Sequence, residues 1–272
     1  MKKIKLSRIS TLHYYKLVFR SLLFAAALVT YIYLWLKGED INLFARVEQM
    51  HWLLLVIWIA YVIEMVLRFF PSRLESMGCQ KQFARNYRPN FPEGEKVRLN
   101  SAASTFMVVA SWLLLNGIIG LLFRAHVIDE GILLLVSLFY GVCDMICILF
   151  FCPFQTWMMK NKCCGTCRIY NWDYAMMFTP LVFISTGYTN SLVLLSLLLL
   201  VRWEIAVRLH PERFSEEANA CLSCANCSEK LCHHKKQLRR FWKQSGRRFQ
   251  LAGNQLLSAA EEMRAQIKTK EP

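Results

Sequence analysis

Long apolar runs separated by short polar stretches dominate the hydrophobic pattern of this chain. A membrane interior roughly 30 Å thick is crossed by about 20 apolar helical residues, and six runs reach or approach that length. We therefore predict an all-α fold, a polytopic membrane helix bundle. Its six expected transmembrane helices cover residues 17–36, 51–70, 105–123, 131–151, 174–186 and 191–207.

The last two expected spans lie close together in the sequence. The residues between them, Gly187-Tyr188-Thr189-Asn190, favour a turn, so a tight connection is predicted there. The fifth run is short, and Pro180 predicts a kink within it because proline interrupts helical hydrogen bonding.

Basic residues are distributed unevenly among the connections between the spans. The chain carries a net charge of +14, and its Lys and Arg residues crowd the N-terminal tail, the second-to-third connection and the C-terminal tail. The alternate connections hold only Lys37, Arg46 and Arg124. Because cytoplasmic loops are enriched in Lys and Arg, we predict a multi-pass protein of the cytoplasmic membrane with both termini inside the cell.

The pattern predicts three regions. Residues 1–210 form the bundle, with cytoplasmic loops at 72–104 and 153–173; residues 211–235 form a cysteine-rich metal-binding segment; and residues 236–272 form a basic amphipathic helical tail. Such a tail is typical of a helix that lies on anionic membrane lipids. Nucleic-acid binding is not expected, because no recognition fold accompanies the basic residues.

Composition and cysteine usage narrow the possible functions. With 55% hydrophobic and 19% charged residues, the chain is not a disordered protein. Its 11 cysteines concentrate in segments that the predicted topology places in the reducing cytoplasm. That compartment keeps thiols reduced, so metal binding or redox chemistry is a better interpretation of these cysteines than structural disulfides.

The run that follows the sixth span carries the most specific chemical signal. Four cysteines lie within twelve residues, and two successive two-residue gaps allow a short loop to hold three corners of an iron–sulfur cluster. A tetrahedral zinc site is the alternative. The predicted ligands are Cys221, Cys224, Cys227 and Cys232.

A second group of cysteines lies between the fourth and fifth spans. Cys163, Cys164 and Cys167 occupy a short turn, and Cys152 precedes them at the membrane edge. They are predicted to share the metal site of the tail cysteines or to form a second centre completed by Cys152. Two alternatives stay open: a metal-free thiol oxidoreductase using Cys164 and Cys167, and simple packing or lipidation of juxtamembrane thiols.

Ionisable side chains within the spans form a predicted buried charge cluster, because charges inside a bilayer need partners. Arg202 is expected to pair with Asp144 or Glu64, and the cluster either carries a proton, binds a polar head group, or only holds helices together. Asp173, next to the cysteine turn, is expected to be a hydrogen-bond acceptor behind a metal ligand or a helix N-cap. The cluster comprises Glu64, Asp144, Arg202 and Glu204.

The second half of the chain resembles a known group of sequences. The stretch from Lys160 to Pro180 and the segment His210-Pro-Glu-Arg-Phe214, followed by the tail cysteines, are similar to an uncharacterised family of multi-span membrane proteins from anaerobic bacteria. The resemblance implies the arrangement of spans and of CCxxC and CxxCxxCx4C motifs, and it supplies no mechanism.

We therefore expect an electron-transfer protein whose cytoplasmic cysteines hold one or two iron–sulfur centres. Its expected partners are membrane lipids, a soluble electron donor, and a quinone or membrane protein. The alternative is a zinc-stabilised transporter or assembly factor without redox activity. No phosphate loop, nucleophile elbow or zinc-protease motif is present, so the sequence assigns no catalytic residue.

Overall fold

The structure is a computed structural model, and it describes residues 8–37, 47–71, 77–90, 102–161 and 163–226. All of these residues belong to one structural unit, Met1–Lys230. The α-helices in the described ranges are α1 (Arg8–Leu36), α2 (Val47–Leu67), α3 (Met77–Gln82), α4 (Ala102–Arg124), α5 (Glu130–Leu149), α6 (Asp173–Phe178) and α7 (Gly187–Leu209).

Short helical turns connect several of these helices. One is a π-helical turn, Phe154–Met158, and the others are 3₁₀ turns. Within the described ranges the only extended pairing is an isolated antiparallel bridge between Pro89 and Asn219, so the predicted all-α fold is confirmed. The 3₁₀ turns are Ala84–Asn86, Cys164–Thr166, Tyr170–Trp172, Thr179–Phe183 and Pro211–Phe214.

Three helices of the described part are long and apolar enough to cross a membrane. They comprise Ser10–Leu36, Ala102–Arg124 and Glu130–Leu149, and Trp52–Leu67 is a shorter apolar helix. Large apolar side chains lie on their outer surfaces, as lipid contact requires; Leu121, for example, is 71% exposed. The expectation of a membrane protein is thus supported, while the count of six spans and the inward-facing termini stay predictions.

The segment expected as the fifth span is not a continuous α-helix. It consists of α6 followed by the 3₁₀ turn Thr179–Phe183, with Pro180 at the start of that turn. At about 1.5 to 2 Å per residue, the two pieces together extend about 20 Å, which is less than a membrane interior of roughly 30 Å. The change of helix type at Pro180 agrees with the predicted interruption.

The turn expected before the sixth span is also different in the structure. Gly187-Tyr188-Thr189-Asn190 forms the first turn of α7 rather than a loop. Thr186 is the N-cap: its hydroxyl accepts a hydrogen bond from the backbone N–H of Thr189, and the Thr189 side chain bonds back to the N-cap residue. This reciprocal capping satisfies helix N–H groups that otherwise have no partner, and it starts the helix earlier than the apolar pattern predicts.

Close packing joins the helices around a core of buried side chains. Met65, Leu133, Leu181 and Leu192 have no exposed surface. A β-carbon on Gly120 of α4 would lie 2.3 Å from the Phe183 ring, so this position accepts only glycine at the observed spacing.

The connection after α2 also enters the core. Phe83, which follows α3, packs edge-on against Trp203 of α7 with ring centroids 5.2 Å apart. Trp203 in turn packs against Phe214 at 6.1 Å. These ring contacts anchor residues 77–86, which we call the α3 segment, beside the end of α7, where the cysteine-rich segment begins.

Candidate functional site

A buried arginine lies at the centre of the charged groups. Arg20 of α1 has a side chain only 1% exposed, and its guanidinium binds Glu64 Oε2 of α2 at 2.6 Å and Asp144 Oδ2 of α5 at 3.0 Å. It also donates to the carbonyl oxygen of Gly141 at 3.0 Å. The Tyr174 hydroxyl of α6 donates to the same Glu64 oxygen at 2.9 Å. Through Arg20 and Glu64, the four helices α1, α2, α5 and α6 are therefore joined.

The expected pairing of Arg202 with Asp144 or Glu64 is wrong. Arg202 donates to the backbone carbonyl of Arg68 at 3.0 Å, and it lies over the Phe83 and Trp203 rings at 5.1 and 5.3 Å. The physical reason is the position of α1. This helix packs against α5, so Arg20 rather than Arg202 lies within hydrogen-bond distance of both carboxylates. Arg202 is held by backbone and ring contacts instead.

Glu204 belongs to a different ion pair. Its carboxylate accepts hydrogen bonds from both terminal guanidinium nitrogens of Arg168 and, at 2.7 Å, from the indole N–H of Trp172. The carboxylates of the predicted cluster therefore divide into two groups, one around Arg20 and one that fastens the cysteine loop to α7, and Arg202 belongs to neither.

Asp173 pairs with a second arginine that the sequence analysis did not single out. Its carboxylate binds Arg68 at 2.6 and 3.0 Å, and both side chains are nearly buried, at 6% and 3% exposure. The expected N-cap role is wrong, because Trp172 is the N-cap residue of α6 and no side chain caps it. The Arg68–Asp173 pair instead secures the start of α6.

A cavity of about 520 Å³ lies beside these ion pairs. It is bounded by α4, α5, the π-helical turn and the cysteine turn. Most of its wall is apolar, Asp144 and Asp173 lie at its polar part, and its described lining includes no Lys, Arg or His. Five thiol-bearing residues line it: Cys143, Cys147, Cys152, Cys164 and Cys167.

Gln155 of the π-helical turn organises the thiols on one wall of this cavity. Its backbone N–H donates to Cys152 Sγ at 3.4 Å, and its side-chain oxygen accepts from the Cys164 thiol at 3.0 Å. Cys147 of α5 lines the same cavity. Sulfur atoms from three stretches of chain are thus brought together.

The cysteine turn is fixed from the other side by α3. The buried Gln82 side chain donates to the carbonyl of Gly165 at 2.8 Å and accepts from the Asn171 amide at 2.7 Å. Within the turn, the Cys167 N–H donates to the Cys164 carbonyl at 3.0 Å. Cys163 precedes the turn and is not among the cavity residues.

The first tail cysteines lie against the same α3 segment. The Cys221 thiol donates to the carbonyl of Asn86 at 3.1 Å, and the fully buried Asn219 donates to the carbonyl of Lys81 at 2.9 Å. Cys224 is exposed. Cys227, Cys232 and the predicted helical tail at 236–272 lie outside the described residues.

No group of three or more His, Cys, Asp or Glu side chains among the described residues is placed to hold a metal ion. This applies to Cys152, Cys163, Cys164 and Cys167 together, all of which are described. A separate second centre formed by these four thiols therefore has no geometric support. The metal prediction rests on the tail run, whose last two cysteines are outside the described part.

The second cysteine of the C-x-x-C turn, Cys167, has a buried thiol. Cys167 is only 7% exposed, and burial raises the pKa of its thiol to about 12. An attacking cysteine must ionise readily, so Cys167 is unsuited to be the attacking thiol of a metal-free Cys164–Cys167 oxidoreductase, and that role would fall to Cys164. Cys79 is fully buried in the core, where it packs as a small apolar residue.

Comparison of the chain with protein-family models, with curated proteins and with solved structures finds no match. The functional argument therefore rests on the contacts described above.

The burial of Cys167 predicts a large difference in thiol labelling. In chelator-treated full-length protein at pH 8, we expect a maleimide or iodoacetamide reagent to modify exposed Cys224 about 100-fold or more faster than Cys167, because the thiolate is the reacting form. Below a pKa of about 12, the Cys167 rate should keep rising with pH. Peptide mass spectrometry measures both rates, and equal rates at pH 8 would contradict the buried placement of Cys167.

Proposed function

We propose that the protein is a membrane electron-transfer protein in which cysteine sulfur carries the redox chemistry. In this proposal it is a multi-pass protein of the cytoplasmic membrane, and the tail run Cys221, Cys224, Cys227 and Cys232 ligates an iron–sulfur cluster. The cluster exchanges electrons with the thiol-lined cavity, a soluble donor and a membrane acceptor.

One observation carries the proposal: the α3 segment contacts both cysteine-rich regions. Gln82 binds the turn that holds Cys164 and Cys167, while Asn86, a few residues further along, binds Cys221. The first cysteine of the tail run is thereby held by the same segment as the loop that presents thiols to the cavity. Short separation between redox groups is what efficient electron transfer needs.

The chemistry of the donor set also supports this proposal. Cysteine thiolates are the usual ligands of iron–sulfur clusters, and the two successive two-residue gaps suit a single short loop around one cluster. None of the nine described cysteines is in a disulfide, and a cysteine sulfur outside a disulfide can ligate a metal as its thiolate.

The buried charges do not favour the transport alternative. Glu64 and Asp144 are neutralised by the guanidinium of Arg20, and Lys16 lies 3.6 Å from Glu64. Carboxylates held in this way by a buried arginine act as a structural link between helices. They are therefore poor candidates for the lining of a transport pathway.

The test compares tail-cysteine variants with the wild-type chain purified anaerobically. We expect iron and acid-labile sulfide in the wild type, and at least a tenfold loss of both in Cys224→Ser and Cys227→Ser, since each removes a ligand. Ser223→Ala, between the cysteines, is the matched control and should retain both. Stoichiometric zinc without sulfide would overturn the iron–sulfur assignment and favour a zinc-stabilised transporter or assembly factor.

A further inference from the structure

The cavity between α4, α5 and the cysteine turn has the size of a small-molecule site. Its volume of about 520 Å³ falls within the range of roughly 300 to 1,000 Å³ typical of such sites. Phe139 and Trp157, which line it, are 49% and 68% exposed, so the cavity has an apolar rim on the outer surface of the helices. A ligand dissolved in the lipid can therefore enter it.

Aromatic rings contact one another along the cavity wall. The Trp112 ring lies 4.7 Å from that of Tyr140 and 6.0 Å from that of Phe154, measured between centroids. The Phe151 ring lies 5.4 Å from that of Trp157, and all five residues line the cavity. Because these rings hold one another in place, they form a preformed surface on which a flat ring can stack. The cavity therefore favours a ligand with a planar ring over one made only of acyl chains.

Two polar side chains of the lining have hydrogen-bonding capacity to spare. Asp144 accepts from Arg20 with Oδ2 at 3.0 Å, while no hydrogen bond from the described residues reaches its Oδ1. Tyr140 lies one helical turn earlier on the same face of α5, and within the described ranges its hydroxyl makes no hydrogen bond either. Both residues line the cavity, so they offer a ligand one acceptor and one donor.

Charge narrows the ligand to one with an uncharged head. A phosphate head group needs cationic partners, whereas the described lining of the cavity includes no Lys, Arg or His. An organic cation needs an unpaired carboxylate, but Asp144 and Asp173 are already bound by Arg20 and Arg68. A neutral ring that carries oxygen atoms matches both the aromatic surface and the two polar side chains.

The location of the cavity suits an acceptor of electrons. Cys164 of the cysteine turn lies on its wall. Gln82 of the α3 segment binds this turn, and Asn86 of the same segment binds Cys221, the first of the proposed cluster ligands. One short segment therefore contacts both the wall of the cavity and the start of the tail run.

We propose that this cavity binds a quinone-class lipid, with its ring among the aromatic side chains and its oxygens at Tyr140 and Asp144. The tail leaves past Phe139 and Trp157 into the membrane. A quinone has carbonyl oxygens that accept from the Tyr140 hydroxyl, and a hydroquinone has hydroxyl groups that donate to Asp144 Oδ1, so both forms bind. This inference rests on the proposed function, because it names the membrane acceptor and the place where it binds.

The experiment uses the full-length protein in detergent, with a decyl-substituted benzoquinone as the ligand and its azido derivative as a photoreactive probe. We expect saturable labelling at a single site per chain. The unlabelled ligand should displace the probe in both its quinone and its hydroquinone form. Peptide mass spectrometry should locate the label on cavity-lining residues of α5 and the π-helical turn.

Three variants separate binding from folding. Tyr140→Phe removes only a hydroxyl and should weaken quinone binding about fivefold, the size expected for one net hydrogen bond. Cys143→Phe, on the cavity wall, should weaken it by about tenfold or more, because the added ring occupies the space of the ligand. Leu114→Phe adds the same ring on an exposed face of α4 and should bind as the wild type does. Circular dichroism should show equal helix content in all of them.

Several results would overturn the proposal. They are labelling that does not saturate, label confined to residues outside the cavity lining, and unchanged affinity in Tyr140→Phe or Cys143→Phe. Co-purified phospholipid that quinone does not displace would assign the cavity to a charged lipid instead. Displacement of the probe by tetraphenylphosphonium at lower concentrations than by quinone would assign it to an organic cation.

The same measurement distinguishes failure of this inference from failure of the proposed function. Cys224→Ser lies outside the cavity lining, so it should lose iron and sulfide and keep the wild-type affinity for quinone. Quinone bound in the cavity of a wild-type protein without iron and sulfide would leave this inference standing while the iron–sulfur assignment fails. Iron and sulfide in a wild-type protein that shows no saturable labelling would overturn this inference alone.

Discussion

Arg20→Leu is expected to lower the free energy of unfolding by about 3 to 5 kcal/mol, because removing one partner of a buried ion pair leaves the opposite charge without compensation. Here two carboxylates, Glu64 and Asp144, lose their shared cation. The Gly141 carbonyl loses a donor as well. Unfolding of the purified protein by increasing fractions of sodium dodecyl sulfate in mixed micelles measures the change.

Matched variants test whether buried charge is the cause. Adding Glu64→Gln and Asp144→Asn to Arg20→Leu should restore most of the stability, since no unpaired charge then remains. The Lys16 side chain is 19% exposed and lies 3.6 Å from Glu64. Lys16→Gln should therefore lower the free energy of unfolding by less than about 1 kcal/mol. A triple variant no more stable than Arg20→Leu would show that packing, rather than charge, explains the loss.

Arg68→Leu is expected to lower the free energy of unfolding by about 3 kcal/mol, because it breaks a second buried ion pair. It leaves the Asp173 carboxylate, only 6% exposed, buried at the wall of the cavity. The Arg68 guanidinium also lies 4.8 Å from the centre of the Tyr174 ring, so that ring contact is lost too. The same unfolding assay in mixed micelles measures the loss.

A double-mutant cycle isolates the pair itself. Asp173→Asn in the Arg68→Leu background should recover about half of the lost stability or more, because the two residues are directly coupled. Arg168→Leu breaks the more exposed pair with Glu204, so it should lower the free energy of unfolding by less than Arg68→Leu does. Additive effects of Arg68→Leu and Asp173→Asn would contradict the coupling.

The long apolar helices were predictable because a single local property, the length of an apolar run, specifies them. The expected third span at 105–123 corresponds to α4 (Ala102–Arg124), and the fourth at 131–151 corresponds to α5 (Glu130–Leu149). Helix α1 begins at Arg8, earlier than the apolar run, since the polar residues of its first turns are accommodated by packing that hydropathy does not report.

The partners of the buried charges were not predictable in the same way. Arg20 and Glu64 are 44 residues apart and Arg20 and Asp144 are 124 apart, so their meeting depends on which helices pack together. A signal was nevertheless present, because an arginine within an apolar run needs a partner. Applying that rule to Arg20 and Arg68 as well as to Arg202 identifies the two residues that bind the carboxylates.

The grouping of the cavity thiols was likewise only partly predictable from the sequence. The grouping of Cys152 with Cys164 and Cys167 is visible in the sequence, since all three lie in one connection. The contribution of Cys147 depends on how the end of α5 turns toward Cys152, and its position within an apolar helix favours simple packing. Only the three-dimensional structure places it on the same cavity wall as Cys152.

The central claim is that cysteine-held iron and sulfur carry electrons in this membrane protein. The most direct test is low-temperature paramagnetic resonance of membranes containing the full-length chain, recorded before and after anaerobic reduction. The account predicts a signal of a reduced iron–sulfur cluster that appears on reduction and is absent in membranes containing Cys224→Ser. Equal spectra for the two proteins, or no cluster signal in reduced membranes that contain the folded wild type, would contradict it.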